Sequence, residues 1–139
     1  MNLTPTPIMI GPGCVHIAPD KPLRVINEGA SLEILLPPNS NELPQSVNAA
    51  SAFRDVDTRF PRGSVSATLL RDDRTQVHAI NTDIGSMKKG YILNLRPEPL
   101  RSDNAALPTY TRGDKFTSIS ICAKSTMSSV NVYWQTATE

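Results

Sequence analysis

The chain is poor in the residues that do chemistry. Of its 139 residues, two are histidine and two are cysteine, which leaves few players for acid–base or metal-assisted catalysis. No Gly-x-Ser-x-Gly elbow, His-Glu-x-x-His pair or phosphate loop ending in Gly-Lys-Ser/Thr occurs. Gly11-Pro12-Gly13 supplies two glycines, but His16 stands where a dinucleotide fingerprint needs its third, and a strand pattern follows instead of a helix. No cofactor is expected. Cys14 and Cys122 are too far apart for a Cys-x-x-Cys site; they read as two free thiols, the alternative being one long-range disulfide in an oxidising compartment.

Charge of one sign is missing too. Fourteen basic residues face thirteen acidic ones, a net charge of +1, so no whole-molecule field steers the chain toward nucleic acid or an acidic surface. The basic residues fall in small groups, Arg59 with Arg62, Arg71 with Arg74, Lys88 with Lys89 and Arg96 with Arg101, each with acids nearby. Aromatics make up only 5% of the chain, too few for a platform that stacks single-stranded nucleic acid. No window approaches the roughly 18 apolar residues of a membrane-spanning helix. Ile8-Met9-Ile10 is a three-residue run between Pro7 and Pro12, and residues 1–12 read as an extended or flexible segment with no signal peptide.

What is abundant is hydroxyl and amide: 34 of 139 residues are Ser, Thr or Asn, against five Lys. That surface leans toward a secreted, periplasmic or cell-surface setting. Asn2-Leu3-Thr4 matches a glycosylation acceptor. The dominant pattern is alternation with period 2 in short runs separated by turn residues. Val15 and Ile17 flank His16, and Leu23–Ile26 follows a Pro-Asp-Lys-Pro turn. In Ser31–Leu36, the residues Leu32, Ile34 and Leu36 share one face. Ser64–Arg71 and Arg74–Asn81 read as a hairpin about Asp72-Asp73, and Gly90 opens a strand carrying Leu93 and Leu95. Phe116–Ala123 places Ile119, Ile121 and Ala123 together, and Ser129–Gln135 sets Val130, Val132 and Trp134 against Asn131, Tyr133 and Gln135.

These eight strands predict a single all-β domain over residues 1–139. Alternating strands have one dry and one wet face, and without helices to cover them two antiparallel sheets must face each other. An antiparallel β-sandwich of about eight strands, jelly-roll or immunoglobulin-like, is the expectation, with a closed barrel as a third arrangement. The twelve prolines sit almost wholly in the gaps, where a missing amide hydrogen costs no ladder bond. The 27-residue connection Pro37–Gly63 is long for a compact domain, and Gln45–Phe53 is its best place for a turn or two of helix.

The functional reading is a non-enzymatic binding module with a protein partner. One alternative is a carbohydrate-binding sandwich; another is a structural subunit that self-associates through a sheet face or edge strand. Parity puts Tyr133 on the outer face between Asn131 and Gln135, where an aromatic flanked by amides offers a platform for a sugar or a partner's side chain. Phe60 and Tyr110, on the long connections, are the other candidates, since loops at the ends of a sandwich often carry function. His16, Cys14, His78 and Cys122 all point outward by parity, but no close-spaced pair anchors a zinc or copper site, and no metal is expected. Asp55-Val56-Asp57 and Asp72-Asp73 lack the spacing of a calcium loop. Arg112-Gly113-Asp114 spells an adhesion tripeptide and reads as a turn.

Overall fold

In a computed structural model the chain is described at residues 1–36, 60–87, 90–98 and 109–136. The helical turn expected at Gln45–Phe53, the pair Asp55 and Asp57, Lys88 with Lys89, and Arg101 lie outside the described residues. Among the described residues nine strands form: β1 Ile8–Ile10, β2 Gly13–Ile17, β3 Leu23–Arg24, β4 Ser31–Leu36, β5 Val65–Arg71, β6 Gln76–Met87, β7 Gly90–Pro97, β8 Lys115–Ala123 and β9 Met127–Gln135. Among the described residues, no helix is long and apolar enough to cross a membrane.

Every pairing between these strands is antiparallel. The spatial order is β1-β9-β4-β7-β6-β5-β8-β2, with β3 pairing β8. β2 and β3 take successive stretches of β8, Cys14 lying opposite Cys122 and Leu23 opposite Phe116. The sheet curls until its two edges, β1 and β2, nearly meet. The layers expected from the alternation are opposite walls of this single curled sheet rather than two separate sheets. Alternation is blind to that difference, because a strand buries the same face whether or not its neighbour around the corner is hydrogen-bonded to it.

The first twelve residues take part in this closure. Leu3 is buried, its amide donates to Val132 O at 2.8 Å, and the Trp134 amide donates to Met1 O at 2.9 Å. Ile8 and Ile10 then pair with Val130 and Met127. Across the remaining gap, Trp134 Nε1 donates to Arg24 O at 3.3 Å.

The interior is aliphatic with an aromatic centre. Leu32, Ile34 and Leu36 of β4, Leu93 and Leu95 of β7, Ile119 and Ile121 of β8, and Val130 and Val132 of β9 are fully enclosed. Val15 and Val77 are half-buried against that core. Tyr110, Phe116 and Trp134 meet edge to face, with ring centroids 5.1–6.0 Å apart, the arrangement aromatic quadrupoles favour.

Among the described residues, three register shifts re-aim side chains. Leu70 pairs Ser118 while Arg71 pairs Phe116, so Thr117 is an extra residue and Phe116 turns inward, out of step with Ile119. Asn81 pairs Leu95 while Asp83 pairs Asn94, leaving Thr82 over. The third lies where β1 meets β9, and Met127 is buried there. An inserted residue flips the inward set of every residue beyond it.

Two cross-links complete the frame. Cys14 and Cys122 form a disulfide between β2 and β8, with their Cα atoms 4.0 Å apart. The expectation of free thiols is thus overturned: antiparallel register brings residues 108 positions apart directly opposite each other. Asn81, buried inside the wall, accepts from the amides of Gly63 and Val65 at 3.0 Å each and donates to Phe60 O and Pro61 O at 3.1 and 3.2 Å.

Candidate functional site

On the outer face of β9, β4 and β7, register lines side chains into rows. One row runs Tyr133, Glu33, Asn94 and Asp83 across β9, β4, β7 and β6; the next runs Asn131, Leu35, Ile92 and Gly85. Gln135 stands opposite Ser31. Alternation produces this face directly: Leu32, Ile34, Val132, Trp134, Leu93 and Leu95 go inward, so their neighbours go out.

Leu35 and Ile92 are apolar side chains at outward positions, and both are only half-buried. With Tyr133, Glu33 and Gln135 they line a shallow cavity of about 270 Å³. Gly85 continues the row with open space where a Cβ would stand, so the floor stays flat on that side. A second cavity of about 320 Å³ shares Glu33 and extends along the face past Ser31, Asn94 and Arg96 to Glu28.

The electrostatics of this face are local. Ser31 Oγ donates to Glu33 Oε1 at 3.3 Å. Asp83 is held below the ordinary carboxylate range: its partial desolvation raises it, but hydrogen bonds from Thr82 and Asn94 and the charge of Arg96 outweigh that. Asn94 Nδ2 lies 2.9 Å and Arg96 Nε 3.6 Å from the Asp83 carboxylate. Asp83 is committed to these partners, whereas neither Glu28 nor Glu33 has a basic partner among the described residues. An apolar floor, an aromatic wall and carboxylates with acceptor capacity to spare suit recognition of a ligand.

The five residues singled out by sequence divide. Tyr133 and Gln135 line one cavity, and Asn131 lies on the same face, opposite Leu35. Phe60 does not join them, and Tyr110 lines only the neighbouring cavity that shares Glu33. Phe60 is enclosed in the core. Tyr110 donates its hydroxyl to Leu95 O at 3.1 Å and its ring packs among Phe116 and Trp134; burial pushes its pKa up. Phe60 precedes β5 and Tyr110 precedes β8, and each aromatic plugs the core instead of facing solvent. Sequence reasoning misses Glu33, Leu35 and Ile92 as site residues, although the last two carry a signal: apolar side chains at positions whose parity is polar.

Other motifs are absorbed by structure. The Cys14–Cys122 disulfide takes both sulfurs out of any ligand set, and His16 Nδ1 lies 3.4 Å from Ser120 Oγ. Among the described residues no three potential ligands gather. Asp73 accepts from the Thr75 amide and hydroxyl at 3.0 and 2.6 Å, bonds that hold its pKa low and shape the β5–β6 turn. Asp114 is gripped in a fork by Arg71 Nε and Nη2 at 3.2 and 3.4 Å and also receives the Thr111 amide. Its carboxylate is therefore occupied within the 111–114 turn. Set against family models, curated proteins and solved structures, the chain matches none.

Proposed function

We propose that the chain is a non-enzymatic binding module that docks a protein partner on the outer face of β9, β4 and β7. The observation carrying this reading is the cavity in which half-buried Tyr133 stands beside outward Leu35 and Ile92, with Glu33 and Gln135 at its rim. An apolar centre with a polar rim is the anatomy of a protein-binding patch, and tyrosine is enriched at such centres.

We also infer a jelly roll. β1-β9-β4-β7 and β2-β8-β5-β6 are two four-stranded walls joined through the β6–β7 hairpin, an order that supports two interlocked Greek keys. The disulfide favours an oxidising setting.

The test is a pulldown from matched extracts with wild-type protein, Tyr133→Ala and Leu35→Asp. One stoichiometric partner kept by the wild type and lost by both variants, whose thermal melts stay like the wild type's, is the expected result. A partner retained by both variants overturns the assignment to this face. The same surface favours one second reading, a glycan, because Tyr133 and Gln135 share the cavity and Asn131 stands nearby on the face. A glycan array that responds to wild type and not to Tyr133→Ala would replace the protein partner with a sugar; silence removes that option.

A further inference from the structure

A different part of the barrel carries a second site. Where the curled sheet fails to close, between β3 and the end of β9, a cleft of about 470 Å³ opens to solvent, within the size range of small-molecule sites. Its floor is apolar: Leu23 is 1% and Trp134 4% exposed. Its flanks are apolar as well, and unusually bare. Among the described residues only three large hydrophobic side chains stand exposed, Met1, Met9 and Ile26, and two of these, Met1 and Ile26, converge on this cleft. At the rim stand Lys21 and Arg24, both exposed. Among the described residues no carboxylate side chain lines the cleft.

The charge is local, since the whole chain carries only +1. A greasy slot with two basic side chains at its mouth, and no carboxylate side chain there among the described residues, is complementary to a molecule with the opposite arrangement. We propose that this seam cleft binds an anionic amphiphile, a single aliphatic chain ending in a carboxylate, its tail over Leu23, Ile26 and Trp134 and its head between Lys21 and Arg24. The slot exists because β3 is only two residues long and the Trp134 indole reaches across to Arg24 O. One hydrogen bond thus spans the seam where a longer strand would fill it. Apolar burial grows with each methylene of the chain, so the tail provides most of the affinity and the cations set the sign of the head group.

Trp134 is the only tryptophan, so its fluorescence reports on this floor alone. The experiment titrates the full chain with dodecanoate, below its micelle concentration, and reads both Trp134 emission and calorimetric heat. A saturable emission change with matching heats is expected. Dodecyltrimethylammonium, with the same tail and the opposite charge, should bind at least about tenfold more weakly. The Lys21→Glu, Arg24→Glu double variant should lose affinity for dodecanoate by a similar factor while keeping the wild-type melting temperature. Ile26→Asp, at an exposed position, should weaken both ligands. The proposal is overturned by heats without a Trp134 response, by no binding at all, or by equal binding of the two amphiphiles. It is overturned in favour of a peptide if capped Glu-Leu-Leu-Glu binds the cleft and dodecanoate does not.

Discussion

Asn81 is the polar side chain on which the return of the chain into the barrel depends. Buried inside an otherwise apolar wall, it satisfies two amides and two carbonyls of residues 60–65 with one carboxamide. Removing it strands donors and acceptors that water reaches poorly, and an unsatisfied buried group costs about 1–3 kcal/mol. Asn81→Ala should therefore destabilise the fold by on the order of 3 kcal/mol, read as a lower urea midpoint; Asn81→Asp should also destabilise, because it replaces the donor to Phe60 O and Pro61 O with a carboxylate. Tyr110 gives a pH-dependent counterpart. Its unfolded hydroxyl ionises near 10.0, while burial keeps the folded one protonated to higher pH. The unfolded state alone then releases this proton, so the contribution is intact below the unfolded value and lost as pH rises beyond it. Tyr110→Phe should cost about 1 kcal/mol at neutral pH through the lost bond to Leu95 O. The gap between the two proteins in alkaline thermal melts should narrow once the pH exceeds the unfolded value of 10.0.

Within a strand, what decides tolerance is which wall of the pleat a residue faces. Ile121 is fully enclosed and Ser120, next to it on β8, is half-buried on the outer face. Ile121→Asp should abolish cooperative folding by burying an unpaired charge, while Ser120→Asp should melt within a few degrees of wild type. Equal melts for the two would contradict the face assignment. Period 2 in the sequence is enough to place Ile119, Ile121, Leu93 and Val132 inside. It is not enough for Phe116 or Met127, because each lies beyond a register shift. A bulge follows from how two strands fit each other, so a pattern read along one strand does not contain it.

For the molecule as a whole, one covalent bond pins the edge strand β2 to its neighbour β8 within the curled sheet. The disulfide ties β2 to β8 across 108 residues of chain. A cross-link of that span restricts the unfolded chain and is worth about 4–5 kcal/mol in the loop-closure account. The Cys14→Ser, Cys122→Ser double variant should keep its far-ultraviolet circular dichroism and lose a large part of its denaturant midpoint. Dithiothreitol should produce the same loss in the wild type and none in the variant.

One strand's share of the candidate site is legible in the sequence: Tyr133, Asn131 and Gln135 follow from the parity of β9 alone, since Val130, Val132 and Trp134 must turn inward. Their neighbours Glu33, Leu35 and Ile92 are not, because they reach the same face only through the pairing of β4 with β9 and β7. The amino-acid order determined the strands and most inward faces, because alternation and proline placement act over a few neighbouring residues. Tertiary structure alone decided that the sheet curls on itself, that Cys14 meets Cys122, and that Tyr110 and Phe60 fill the core. Each of these depends on which distant segments lie side by side, a choice made by the burial of the whole apolar set at once.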